Sequence, residues 1–182
     1  LEILSKKKIL LDDTPAQSPT ELRSRARRVQ RENKDLVMIV VDYIGLMQVH
    51  SKSDNRVAEI SEISRSLKAL AKELDVPVLA LSQVNRAVAS RPNKRPRLSD
   101  LRDSGSIEQD ADIVAFIYRH EYYDPNDLES KGKAFIDIAK QRNGPTKATV
   151  LAFRGSVAKF ENLAREDRYP PQYYEDNNEE SE

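Results

Sequence analysis

The chain has 182 residues, with 30 basic and 30 acidic side chains, two histidines and no cysteine. This length allows one or two domains, and the composition excludes disulfide frameworks and cysteine-ligated zinc sites. No apolar run reaches the roughly 18 residues that a membrane span needs, so we expect a cytoplasmic protein without a membrane partner.

The beginning of the chain predicts a short strand and a capped helix. Ile9–Leu11 is apolar, and Asp12 and Asp13 end the predicted strand. The sequence Ser18-Pro19-Thr20-Glu21 then supplies an N-cap, a proline at the first helical position and a glutamate at the third. We therefore predict a helix that runs to about Asn33.

Two continuously apolar segments predict the strands of a parallel sheet. Leu36–Val41 and Val76–Leu81 lack the alternation of a half-exposed strand, so we expect them to be covered on both faces. From about Asp54 to Leu74, apolar residues recur every three or four positions, which indicates an amphipathic crossover helix. Strand, helix and strand in this order are typical of an α/β domain.

The second half of the chain predicts four further strands. They cover Ile113–Tyr118, Ala134–Ala139, Ala148–Phe153 and Val157–Phe160. The pairs Gly144-Pro145 and Arg154-Gly155 separate the last three strands and favour antiparallel hairpin returns. We therefore expect a mostly parallel twisted sheet with flanking helices and antiparallel strands at its C-terminal end.

Two segments lack hydrophobic periodicity and are predicted to be mobile. Arg91–Arg97 has four basic residues and two prolines, and Glu175–Glu182 has five acidic residues. The basic run either steers nucleic acid by its charge or is a flexible linker. We predict one domain over residues 1–163 and a disordered acidic tail over residues 164–182.

Polar side chains follow both predicted parallel strands. Asp42 comes directly after Leu36–Val41, and Gln83 comes two residues after Val76–Leu81. Both are expected at the carboxyl edge of the sheet, where ligands of such folds bind. Asp42 suits a hydrated magnesium ion on a nucleotide, and the Gln83 amide suits a γ-phosphate or an attacking water. The alternatives are a capping or salt-bridged aspartate and a glutamine that packs in a loop.

Two further clusters suggest contacts with phosphate. Lys140 and Arg142 alternate as the chain leaves a strand, so their side chains project to one face. Such a pair can stabilise charge on a transferring phosphoryl group, or it is ordinary solvated surface. In the predicted loop Asp100–Asp112, Arg102 and the amides around Gly105 could hold a phosphodiester backbone. An ordinary solvated loop is the competing interpretation.

Other catalytic and metal-binding patterns are absent from the sequence. His50 and His120 have no second histidine at ligand spacing, and no G-x-S-x-G sequence is present. Gly132 is the glycine that precedes a lysine, but residues 127 and 134 are Asp127 and Ala134. The phosphate-binding sequence G-x-x-x-x-G-K-[ST] is therefore missing.

These segments occur in an order that closely resembles a known family. They are DDTPAQSPTELRSRARR, VMIVVDYIGLM, SDNRVAEISEISRSLKALAKELDVPVLALSQVNR, RPRLSDLRDSGSIEQDADIVAFIYR and AKQRNGPT. From about Ile9 to Phe160, the chain resembles the C-terminal motor domain of the bacterial replicative DNA helicases, the DnaB family. SGSIEQDAD and KQRNGPT are its most specific motifs.

The resemblance implies a RecA-like P-loop NTPase core that is truncated at its N-terminal side. It implies an ATP-dependent helicase that unwinds duplex DNA at the replication fork. Members form a homohexameric ring that moves along single-stranded DNA by hydrolysing ATP with Mg²⁺, and a primase and a helicase loader are the expected protein partners.

The resemblance also assigns roles to the residues of the nucleotide site. Asp42 matches the Walker B aspartate that holds the magnesium ion. Gln83 matches the glutamine that couples the γ-phosphate to the DNA-facing loops. Lys140 and Arg142 match the basic pair that reaches into the nucleotide site of the adjacent subunit, so they are expected to act in trans.

The DNA contact is assigned in the same way. Arg102, Asp103 and Gly105 match the loop that grips the DNA backbone in the central channel. Members often carry glutamate at the position of Asp103, so the carboxylate of this chain has a shorter reach.

The largest departure from the family lies upstream of the chain. In the family, the P-loop and the glutamate that activates water precede the region where this chain starts. We therefore expect a C-terminal fragment of a replicative helicase that does not hydrolyse ATP by itself. The alternatives are a non-catalytic RecA-like module that binds a helicase or its loader, and a recombinase-type or clock-type ATPase, which the specific motifs disfavour.

Overall fold

The computed structural model describes residues 6–49 and 55–163, without the side chains of residues 102–104. The chain divides into two compact units, Leu1–Gln83 and Val84–Glu182. The first unit contains α1 (Pro19–Asn33), β1 (Ile39–Val41), α2 (Arg56–Leu74) and β2 (Val78–Ala80). The second unit contains α3 (Gly105–Asp110), β3 (Ile113–Tyr118), β4 (Lys133–Gln141), β5 (Lys147–Arg154) and β6 (Lys159–Asn162). Short 3-10 helices cover Ile44–Leu46, Arg86–Ser90, Leu98–Ser104, His120–Tyr122 and Gly155–Val157.

Helix α1 confirms the predicted capping box. The Ser18 hydroxyl accepts a hydrogen bond from the Glu21 amide at 3.2 Å, and the Glu21 carboxylate accepts one from the Ser18 amide at 2.8 Å. The helix ends at Asn33 as predicted, because Lys34 adopts the left-handed conformation with φ of 32°. Two of the free N–H groups of the first turn are thus satisfied, which fixes where the helix begins.

Helix α2 presents its predicted apolar face to the core. Asn55 caps its first turn by accepting from the Val57 amide at 3.0 Å. A core cluster joins residues of both helices to the sheet. Its members are Ala26, Ile39, Leu70, Leu74 and Val76.

Strands β1 and β2 pair in parallel, as the sequence predicts, with Val41 opposite Ala80. The prediction that both faces are covered is wrong for the described residues. Ile39 is buried, whereas Val40 and Leu79 are 57% and 52% exposed. One face of the pair packs on the helices, and nothing described in this unit covers the other.

The predicted strand at Ile9–Leu11 is also wrong. These residues have no regular secondary structure, and the Leu11 side chain is 92% exposed. No strand within residues 6–49 and 55–83 lies beside them to accept their backbone hydrogen bonds. Three apolar residues do not form a strand without such a partner.

The second unit is built on an antiparallel sheet in the order β3, β4, β5, β6. The predicted returns at Gly144-Pro145 and Arg154-Gly155 join β4 to β5 and β5 to β6. Along β3, Val114, Phe116 and Tyr118 are buried. Strand β6 begins two residues later than predicted, because a 3-10 turn and a left-handed Ala158 precede it.

The predicted mobility of Arg91–Arg97 is wrong, because two of its cations are paired inside the second unit. Arg91 Nη2 lies 2.8 Å from Asp100 Oδ2. The Arg95 guanidinium donates two hydrogen bonds of 2.6 Å to the two carboxylate oxygens of Asp137. This segment is therefore held against the sheet. The predicted acidic tail, residues 164–182, lies outside the described residues.

Asp100–Asp112 is also more regular than the predicted loop. The 3-10 helix Leu98–Ser104 leads directly into α3, so most of this segment is helical. In the part of the chain that is described, no helix has the length and hydropathy needed to cross a membrane.

Candidate functional site

Asp42 and Gln83 leave the parallel sheet at the same edge. The pairing of β1 and β2 continues past their ends, since the Leu81 amide donates to the Val41 carbonyl at 2.9 Å. The Ile44 amide in turn donates to the Leu81 carbonyl at 3.0 Å. Asp42 directly follows β1, and Gln83 lies two residues beyond Leu81. Both residues therefore follow the carboxyl ends of the two strands, at one edge of the sheet.

The side chains of Asp42 and Gln83 are both exposed. Tyr43, and not Asp42, stands at the N-cap position of the following 3-10 helix, and its side chain forms no capping hydrogen bond. Within residues 6–49 and 55–163, the Asp42 carboxylate has no ion pair and no hydrogen bond. Neither alternative interpretation of Asp42, a cap or a salt bridge, is found among the residues that the structure describes.

The donor set at this edge fits magnesium held on a nucleotide. Mg²⁺ is commonly bound by one or two carboxylates, with phosphate oxygens and water as the other ligands. Asp42 supplies one exposed carboxylate. No group of three or more acidic or histidine side chains that could hold a metal ion by itself occurs among the described residues.

Lys140 and Arg142 converge on one end of helix α3. Lys140 Nζ donates to the carbonyl of Glu108 and lies 3.5 Å from the carbonyl of Gln109. Arg142 Nη2 donates to the same Gln109 carbonyl at 2.7 Å. Arg142 Nη1 lies 3.5 Å from Asp112 Oδ1, and the Arg142 amide donates to the Asp112 carbonyl at 3.0 Å. We call Lys140 and Arg142 the basic pair.

The basic pair projects to one face, as its alternation along the strand predicts. The Arg142 side chain remains 47% exposed, so it is not buried within its own unit. The present partners of the guanidinium are one main-chain carbonyl and one exposed carboxylate. A phosphate can compete with such partners, because charge-assisted bonds to arginine are strong and often bidentate.

The predicted DNA-contacting residues lie where the 3-10 helix Leu98–Ser104 meets α3. Gly105 is exposed, and a Cβ atom added there would meet nothing within 4 Å. The side chains of Arg102 and Asp103 lie outside the described part of the chain, so their contacts stay a prediction. Nothing described within the second unit requires a glycine at this position for steric reasons.

The sequence did not predict the residues that hold the basic pair, or those that hold Arg91–Arg97, which we call the basic segment. Asp112 and Asp137 were each part of a recognised motif or strand, but their partners are 30 and 42 residues away in sequence. Local patterns carry no signal for pairings of that separation. The register of β3 against β4 brings Asp112 to Arg142, whereas Arg95 reaches Asp137 from a segment outside both strands.

A cavity of about 410 Å³ in the second unit was also missed. It lies between the basic segment and the end of β3. The Tyr118 hydroxyl lies 2.6 Å from His120 Nδ1, and His120 Nε2 lies 3.6 Å from Asp127 Oδ2. Burial raises the pKa of Tyr118 above its ordinary value. The local sequence is polar and irregular, so it gave no indication of a cavity.

Solved structures define the class of protein. One structure, described as an ATPase domain, matches with a TM-score of 0.77 and 44% identity, over 81% of this chain and 52% of that chain. A DnaB-like replicative helicase, described with its interactions with primase, matches with a TM-score of 0.84 and 43% identity, over 88% of this chain and 39% of that chain. The chain therefore has the fold of a RecA-like helicase ATPase domain, as predicted.

Within that class the family is defined by sequence. The family model for the DnaB-like helicase C-terminal domain matches residues 1–162, and the chain belongs to this family. The replicative DNA helicase DnaB of Pasteurella multocida (strain Pm70) is 59% identical over 162 residues, which are 89% of this chain and 34% of the relative. The Geobacillus stearothermophilus protein of the same name is 54% identical over 172 residues, 92% of this chain and 37% of the relative. The chain thus spans about a third of the length of these relatives.

Proposed function

We propose that this chain is the C-terminal part of the motor of a replicative DNA helicase. The full-length helicase would unwind duplex DNA by ATP-driven movement of a homohexameric ring along single-stranded DNA. The observation that carries this proposal is the shared position of Asp42 and Gln83 at the carboxyl edge of β1 and β2. That edge is where α/β folds bind nucleotides.

In the proposed site, Asp42 would hold Mg²⁺ on ATP, and the chemistry supplied by the bound metal would be neutralisation of charge on the phosphates. Gln83 donates from its amide to the γ-phosphate or orients the attacking water. Both side chains are exposed and so are available to a ligand. The basic pair reaches the nucleotide of the adjacent subunit and stabilises the charge that develops during phosphoryl transfer.

The turn formed by residues 102–105, which we call the DNA-facing turn, is proposed to grip the phosphodiester backbone. Arg102 would pair with a phosphate, Asp103 would orient that contact, and Gly105 would let the backbone approach closely. Main-chain amides and arginine are common phosphate ligands in nucleic-acid complexes. The open space around Gly105 is consistent with such an approach.

The partners follow from the same proposal. One similar solved structure is described with its interactions with primase, and we propose primase and a helicase loader as partners of this protein. A motor that acts on the bacterial chromosome works in the cytoplasm. The alternative function, a non-catalytic module that binds a helicase or its loader, has no observation in its favour.

The 182-residue chain is proposed to be inactive by itself, because its sequence holds no P-loop lysine to clamp the γ-phosphate. Purified chain should therefore give no ATP turnover above the buffer rate in a phosphate-release assay. Turnover that persists through purification and disappears in Asp42→Asn would contradict this assignment.

The roles of individual residues are tested in a chimera that joins this chain to the preceding segment of the Pasteurella multocida relative. Arg142→Ala should abolish DNA-stimulated hydrolysis and leave nucleotide binding largely intact, because the arginine acts on the transition state of a neighbouring site. Lys147→Ala, which removes an exposed cation from the same hairpin, is the matched control. A wild-type rate for Arg142→Ala would refute the assignment.

A further inference from the structure

Helix α3 connects two parts of the proposed motor. Its first residue, Gly105, is the last residue of the DNA-facing turn. Its C-terminal carbonyls, at Glu108 and Gln109, accept the hydrogen bonds of the basic pair. The helix has six residues, so less than two turns separate these two regions.

The end of α3 concentrates negative charge that the basic pair offsets. The last carbonyls of a helix carry partial negative charge, which nearby cations stabilise. Asp110 is the last residue of α3, and its Oδ2 atom is buried without a hydrogen-bond partner in the described residues. Asp112 adds a carboxylate 3.5 Å from Arg142. Removal of the basic pair would leave the Glu108 and Gln109 carbonyls and the Asp112 carboxylate without these cations.

The Gln109 carbonyl and Asp112 engage two of the Arg142 N–H groups that a bidentate phosphate pair could use. The Nη2 atom of Arg142 donates to the Gln109 carbonyl, and its Nη1 atom faces Asp112. A bidentate arginine–phosphate pair uses two parallel N–H groups of the same guanidinium. These contacts hold the guanidinium at the end of α3, so Arg142 has to leave them to reach a phosphate in the nucleotide site of another subunit.

We propose that the C-terminal end of α3 and Asp112 form a resting cradle for the basic pair. When the pair moves to the phosphate of a neighbouring nucleotide, it leaves the cradle and loosens α3 next to the DNA-facing turn. Asp112 is then a positioning residue, which acts through Arg142. By linkage, an ordered α3 favours the resting position, and phosphate favours the released one. This inference rests on the proposed function of the pair.

The Ala111 amide reports the state of the cradle, because it donates to the Ile107 carbonyl at 3.0 Å and closes the last turn of α3. Its hydrogen exchange is measured by NMR in the 182-residue chain. We expect about tenfold faster exchange in the double variant Lys140→Ala, Arg142→Ala, since two charge-assisted bonds to this turn are lost. Lys147→Ala is the control and should exchange at the wild-type rate. An unchanged rate in the double variant would overturn the cradle.

Inorganic pyrophosphate serves as the probe for the released state. In the wild-type chain, Ala111 exchange should rise as pyrophosphate is added, with a midpoint equal to the dissociation constant from calorimetry. If pyrophosphate binds and Ala111 exchange does not become faster, the cradle is overturned while the proposed phosphate role of the basic pair still stands. Equal binding to the wild type and the double variant would overturn the phosphate role of the pair, and the inference with it. The exchange measurement with pyrophosphate uses only the wild-type chain. It therefore tests the cradle even if the double variant does not fold.

Asp112→Asn separates a positioning role from a structural one. The substitution removes the carboxylate that competes for Arg142 but keeps the backbone carbonyl. We expect pyrophosphate to bind about threefold more tightly, since a competing charged partner is lost. A structural role would leave this affinity unchanged or weaken it, and either result would contradict the positioning role.

Discussion

The ion pair between Arg95 and Asp137 should make a large contribution to the stability of the second unit. The two side chains are only 12% and 15% exposed, and two hydrogen bonds of 2.6 Å join them. The guanidinium also lies 5.1 Å from the ring centre of Phe135 and 5.8 Å from that of Tyr118. Asp137→Ala would leave a largely buried cation without this carboxylate.

The expected loss is about 3–5 kcal/mol, the range measured when one partner of a buried pair is removed. For a chain of this size each kcal/mol lowers the melting temperature by roughly 2–4 °C, so we expect a decrease of about 6–20 °C. The double variant Arg95→Met, Asp137→Leu should recover most of this loss, because no buried charge remains.

The measurement is urea unfolding followed by circular dichroism, with a double-mutant cycle on Arg95 and Asp137. Glu161→Ala is the matched control, because the pair that Glu161 forms with Lys159 is 34% and 60% exposed. Exposed pairs contribute about 0–1 kcal/mol. If Asp137→Ala destabilises the chain no more than Glu161→Ala does, the basic segment is not held in place by this pair.

Two further predictions concern the first unit. Ser18→Ala should lower the free energy of unfolding by about 1 kcal/mol through loss of the capping box, with the exposed Thr20→Ala as its control. Equal urea midpoints for the two variants would contradict this role. A hydrogen bond from Arg27, with Arg23 beside it, lowers the pKa of Glu73. Because the folded-state pKa is lowered, ionised Glu73 stabilises the fold at pH values above its ordinary pKa of about 4.3. This stabilisation is lost as the pH falls below that value. In urea titrations, the free energy of unfolding of Glu73→Gln should therefore fall less between about pH 6 and pH 3 than that of the wild type. An equal fall in the two proteins would contradict the assignment.

The local elements could be predicted because their signals are local. The capping sequence at Ser18 places the start of α1, and the spacing of apolar residues places α2. The turn pairs at Gly144 and Arg154 place the antiparallel returns of β4, β5 and β6. Each of these features depends on residues only a few positions apart, which a single sequence displays directly.

The features that could not be predicted depend on distant partners. The segment Arg91–Arg97 has the composition of a solvated linker, but Asp100 and Asp137 hold it in place. The apolar run at Leu36–Val41 predicts a strand covered on both faces, yet one face of β1 is open in the described unit. Composition reports what a segment could bury, and the tertiary partners decide what it does bury.

The candidate site was predictable in part. The strand ends place Asp42 and Gln83 at one edge, because the carboxyl ends of parallel strands meet there. Alternation along β4 places the two cations of the basic pair on one face. The partners of that pair at the end of α3 were not predictable, since the intervening chain had to be recognised as helical first.

The most direct test of the account is complementation between two inactive variants of the chimeric helicase. One variant carries Asp42→Asn, and the other carries Lys140→Ala with Arg142→Ala. Every subunit then lacks either the magnesium ligand or the basic pair, so a site built within one subunit is never complete. In co-expressed mixed rings, roughly a quarter of the head-to-tail interfaces combine an intact Asp42 with an intact basic pair. We expect hydrolysis of ATP to reappear in the mixture, and a mixture as inactive as its two components would contradict the assignment of these residues to one nucleotide shared by two subunits.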